Sequence, residues 1–132
     1  MKSLILISLI AFSLTVDLNK AVQHLVSHAH KKSKHMCAAY VAAALKAGGF
    51  KFTNQASAYM YHSNGIMKNI GFKQISRGSP KKGDVYVQDR TKSHVHGHMA
   101  MYSGKQWVSD FFQNSDQVYS SDAGKRYYYR YG

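Results

Sequence analysis

The chain has 132 residues, 45% of them hydrophobic and 13% aromatic, which suffices for one modest domain with a core and excludes two. Its 18 Lys and Arg stand against 6 Asp and Glu, a formal charge of +12 with the 8 histidines neutral, so the surface is positive in most directions. The expected partner is a polyanion (nucleic acid, anionic lipid or bacterial wall), and the single cysteine, Cys37, excludes an internal disulfide.

The chain opens with Met-Lys-Ser and then LILISLIAFSLTV, Leu4 to Val16, an apolar run short for a bilayer span but of the length of a signal-peptide core. This predicts export to a secreted or periplasmic location. Residues 1–16 would be a signal peptide or hydrophobic leader, with no stable membrane span after its removal, and residues 17–132 a single domain. No Ala-x-Ala pair precedes Asp17 to mark a cleavage point. Next, DLNKAVQHLVSHAHKKS places Leu18, Ala21, Val22, Leu25, Val26 and Ala29 at helical spacing, with Asp17 as a cap. The basic HAHKKSKH ends that helix, and Lys31, Lys32 and Lys34 read as a solvated cluster. A second helix is expected to start near Ser33 to His35 and stop at Gly48-Gly49, with Cys37 in its first turn and Cys37, Val41, Ala44 and Leu45 on one face. A third is expected from Ala56 to about Ile70, packing Tyr59, Met60, Ile66 and Met67, with Asn64-Gly65 a point of interruption.

Beyond Ile70 the pattern changes. GFKQIS is short and extended, RGSPKKGD is a turn holding the only proline, and VYVQ alternates as a strand does. HMAMYSG, QWVSDFF and KRYYYRYG follow, aromatic-rich or alternating and separated by Gly, Ser or Asp, as in a small antiparallel meander. Helices first and strands afterwards predict an α+β fold with the N-terminal helices packed on one face of a small antiparallel sheet. Trp107 and Tyr127 to Tyr129 are expected to serve packing more than sugar stacking.

A thiol in the first turn of a helix sits where free backbone N–H groups and the positive dipole end favour thiolate, the nucleophilic form. Those N–H groups also suit an oxyanion. The opposing reading is a buried, inert side chain. A cysteine nucleophile needs a base, and HVHGHMAMYSG offers His98 at the start of a strong strand beside the cysteine helix. The imidazole needs an acceptor: Asp110 lies twelve residues on, at the end of the next strand, and Gln113 and Asn114 are the other polar groups there.

CAAYVAAALKAGG, SPKKGDVYV and GHMAMYSG stand in the order and at the spacing of the NlpC/P60 and CHAP cysteine hydrolases, which cut peptidoglycan, and Ser33 to Asp110 resembles that superfamily. The resemblance implies a papain-like fold, a secreted wall hydrolase and no cofactor or metal. It carries the nucleophile onto Cys37, the general base onto His98 and the polar third residue onto Asp110. Many NlpC/P60 members read Asp-Cys-Ser-Gly where this chain reads Met36-Cys37-Ala38-Ala39, and Cys37 with Tyr40 and Val41 looks closer to CHAP domains. The bond cut, amidase or endopeptidase, therefore stays open. The chain is also similar in size, and in its CAAYV…AGG helix, to the small amidase effectors of type VI secretion. That likeness implies an immunity protein as partner, while the leader argues against it, because such effectors travel by their own machinery. The expected enzyme is a monomer acting on the amide of a stem peptide through an acyl-enzyme.

Two other classes compete. His94, His96 and His98 alternate and would hold a metal if they shared a face, although Gly97 invites a bend between them. A non-catalytic basic binder would use the charge and the tyrosines against wall or nucleic acid, but no recognised nucleic-acid motif is present, so no specific nucleic acid is expected.

Overall fold

The structure is a computed structural model and describes residues 15–121 and 123–132. The leader read at 1–16 therefore lies, for residues 1–14, outside the described residues. Among the described residues no helix is long and apolar enough to cross a membrane.

Helix α1 spans Leu18–His28, and the Asp17 carboxylate accepts from the Lys20 N–H at 3.1 Å, as the sequence suggests. Ala21, Val22 and Leu25 are buried, whereas Val26 falls outside the apolar arc and is exposed. Helix α2 spans Cys37–Ala47, starting later than expected. Its Val41, Ala42, Ala44 and Leu45 are buried against α1 and the sheet, and the alanines let those neighbours come close. The expected third helix is two short ones, α3 Met60–Ser63 and α4 Ile66–Asn69. They break at Gly65, whose φ of 69° is left-handed and lies outside any right-handed helix.

Five strands follow: β1 Phe72–Ile75, β2 Val85–Gln88, β3 His98–Tyr102, β4 Trp107–Val108 and β5 Arg126–Tyr131. They form one antiparallel sheet in the order β1-β5-β2-β3-β4. Only β2, β3 and β4 make the expected meander. β5 returns between β1 and β2, pairing Val85 with Tyr129 and Tyr86 with Tyr128. Its alternating tyrosines explain the insertion, because each face of the sheet takes one of them. Tyr129 joins the main core of α1, α2, Val85, Val87, Met99 and Met101. Tyr128 joins Tyr86, Ala100 and Trp107 in a smaller aromatic cluster on the opposite face. With both faces covered, all four residues of β2 are buried. Asp84 ties the turn before β2 to β5, accepting from Arg130 Nε and Nη2 at 2.9 and 2.7 Å and from the Lys81 N–H at 2.8 Å.

Candidate active site

The segment before α2 is held from the far side of the molecule. Asp110 is fully buried, and its Oδ2 accepts from the Lys34 N–H at 2.5 Å and the Met36 N–H at 3.2 Å. Between these two donors His35 takes a left-handed φ of 58°, the one non-glycine residue of positive φ among the described residues. That conformation costs a side chain with a Cβ on the order of 1–2 kcal/mol, and the buried carboxylate offsets it. The next residue after Met36 is Cys37, the first of α2. Met36 offers no side-chain cap, so the first-turn N–H groups stay open toward the site.

Burial pushes the Cys37 thiol up to about 11, and the Asp110 charge adds to the rise. The N–H groups of Met99, Ala38 and Cys37 itself work the other way, favouring thiolate. The helix position thus acts in the direction read from the sequence, but desolvation outweighs it. At neutral pH the thiol is protonated, and only a base beside it would make it a nucleophile.

His98 begins β3 and is almost fully buried. Gly97 before it has φ 69°, and a Cβ there would lie 2.2 Å from the Gln88 carbonyl oxygen, so only glycine lets the chain turn into β3 at this point. His98 Nε2 is 2.7 Å from Gln113 Oε1. The Gln113 amide donates to Tyr86 Oη and to the Ser115 carbonyl oxygen, both at 3.0 Å. Its oxygen must therefore face His98, which puts the imidazole proton on Nε2 and leaves Nδ1 as an acceptor. Burial lowers the His98 pKa, against opposing pulls from Gln113 and the Asp110 charge, which favours the neutral ring.

The sequence points to Asp110 as the acceptor for His98, and here the structure differs. The acceptor is Gln113 Oε1. Strand β4 has two residues, after which the chain doubles back, with a bridge from Val108 to Phe112 and the Gln113 N–H bonded to the Trp107 carbonyl at 2.9 Å. That bend delivers Gln113 to the imidazole and turns Asp110 toward residues 34–36. Asn114 is exposed.

Cys37 and His98 line one cleft of about 370 Å³, together with His94, His96 and Tyr119. A second cleft of about 300 Å³ opens on the other side of Cys37, lined by Ala38, Asn54, Gln55, Ser57 and Tyr61. His35, Cys37 and His96 line both, so they stand at the junction. The alternating histidines do not converge. His94 stacks on Tyr119 with ring centroids 3.4 Å apart, His96 Nδ1 lies 2.6 Å from Ser57 Oγ, and His98 bonds Gln113. Among the described residues no three His, Cys, Asp or Glu side chains are grouped to hold a metal. Ser57 and Tyr119 escaped the sequence reading, because each reaches the cleft from a loop with no periodic pattern.

Among curated proteins nothing matches the chain. Two solved structures do, both of the type VI effector–immunity complex Tae3–Tai3 from Ralstonia pickettii. The native complex contains a chain 33% identical, with 88% of this chain and 99% of that one aligned at a TM-score of 0.74. In the selenomethionine form the identity is 34%, over 84% of this chain and 99% of that one, with a TM-score of 0.72. The model of the bacteriophage peptidoglycan hydrolases matches residues 18–129, a span holding both clefts and every strand but the end of β5. The chain belongs to that family of peptidoglycan hydrolases.

Proposed function

We propose that this peptidoglycan hydrolase works through Cys37 as nucleophile and His98 as general base, with Gln113 orienting the imidazole. The observation that carries this reading is the hydrogen bond between His98 Nε2 and Gln113 Oε1. Gln113, held by Tyr86 and Ser115, leaves Nδ1 as the proton acceptor, and His98 lines the same cleft as Cys37. His98 Nδ1 takes the thiol proton as Cys37 Sγ attacks the amide carbonyl of a stem peptide. The Cys37 N–H at the helix start stabilises the oxyanion. As the tetrahedral intermediate collapses, His98 returns the proton to the leaving amine and a thioester remains. Water, deprotonated by His98, then splits it into the carboxylate product and free thiol. The sequential order of cysteine helix, histidine strand and polar acceptor supports kinship with the papain-like NlpC/P60 and CHAP hydrolases, with residues 17–132 as the domain.

A role as an antibacterial effector is favoured by the likeness to the Tae3–Tai3 complexes. Under it the site of action is the cell envelope of a target bacterium, and an immunity protein is the partner. The test is mass spectrometry of muropeptides released from purified sacculi. New fragments are expected from the wild type, none from Cys37→Ala or His98→Ala, and undiminished release in EDTA. Fragment release by Cys37→Ala at the wild-type rate would refute the thiol mechanism.

A further inference from the structure

Neither cleft beside Cys37 is lined by an acidic side chain. Two imidazoles of no assigned role stand there instead. His35 is carried on the left-handed backbone pinned by Asp110, and its own N–H is bonded to Ser33 Oγ at 3.2 Å. Among the described residues no hydrogen bond engages its imidazole. His96 is held by Ser57 through Nδ1, which leaves its Nε2 without a partner among the described residues. Both rings line both clefts, on either side of the thiol. A non-glycine residue kept at positive φ at such a junction points to a use for its side chain.

We infer that His35 and His96 form a carboxylate-binding pair that selects a scissile amide with a free carboxylate close to it. This rests on the hydrolase reading above and adds the substrate feature recognised. Peptidoglycan stem peptides carry free carboxylates beside their amides. An imidazole N–H donates a hydrogen bond to such a group, and a protonated ring adds charge. With no lining acid to compete, the carboxylate meets only donors and neutral groups. His94 is not part of the pair, because its ring is stacked on Tyr119.

The test compares sacculi before and after carbodiimide-mediated amidation, which turns their carboxylates into carboxamides without touching the backbone amides. The full chain is assayed by initial rate of fragment release, at low salt and at high salt to screen the surface charge. The wild type is expected to favour untreated sacculi by about tenfold at high salt, the usual scale for one charge-assisted hydrogen bond. In His35→Asn, which tolerates the left-handed backbone, and in His96→Gln, that ratio falls toward one. Two variants on different elements guard against one failing to fold. Equal wild-type rates on the two substrates would overturn the carboxylate preference alone. A ratio that persists in both variants would assign the preference to the +12 charge and overturn the pair. No release by the folded wild type from either substrate would instead overturn the hydrolase mechanism beneath it.

Discussion

At Cys37, two influences oppose each other and burial wins. The folded thiol stands at about 11, against 9.0 for an unperturbed one. Folding therefore favours the neutral form. Its contribution is complete below pH 9 and is lost as pH rises from 9 toward 11, where the unfolded chain gives up its proton first. Between pH 7 and pH 10 the wild type is expected to lose roughly 1 kcal/mol more stability than Cys37→Ala, read from urea titrations at the two values. Equal losses would mean that the thiol is not desolvated. The same balance means that the helix-end N–H groups alone do not ionise this cysteine at neutral pH.

The segment 33–36 shows how an element is positioned from far along the chain. Asp110→Ala leaves the Lys34 and Met36 N–H groups without their acceptor, and with them the His35 conformation. The expected cost is about 2 kcal/mol in urea unfolding, with turnover falling more than stability because Cys37 is the next residue. Asp110→Asn, which keeps a carbonyl oxygen, should lose less of both. A variant as stable as the wild type would show that α2 fixes its own approach. This non-local grip also explains what could be read in advance. Leu18, Ala21, Val22 and Leu25 announced α1 by spacing alone, and Asp17 announced its cap. The start of α2 was read early because Met36 has no capping side chain and the groups that fix the segment come from Asp110. That Cys37 and His98 come to one cleft was legible because each heads a strongly patterned element. The choice between Asp110 and Gln113 was not, since it depends on a tight bend after a two-residue strand.

Across the whole molecule the acids number six, all aspartates, against 18 Lys and Arg, and these four of the six are engaged in bonds within the chain. Asp17 caps α1, Asp84 holds Arg130, Asp110 pins residues 34–36, and Asp116 accepts from Arg77 Nε and Nη2, each at 2.9 Å, and from the Tyr128 hydroxyl at 2.5 Å. With four of the six carboxylates so engaged, little negative charge is left to offset the 18 lysines and arginines. The Arg77 hydrogen bond, with Tyr128 and Arg126 assisting, brings the Asp116 carboxyl down to about 2 from 3.8. Its contribution is present above pH 3.8 and is lost as pH falls toward 2. Asp116→Asn is expected to be less stable than the wild type by about 1 kcal/mol at pH 7, after allowance for the exposed arginine, with the gap closing near pH 2. A gap constant with pH would assign the loss to packing. The sheet adds a consequence in time. β5 is the final strand in sequence yet lies between β1 and β2, so β1 has no neighbour in the sheet until residues 126–131 leave the ribosome. A nascent or truncated chain ending before Arg126 lacks the strand that joins β1 to the rest of the sheet, so the five-stranded sheet closes only once that last segment has been made.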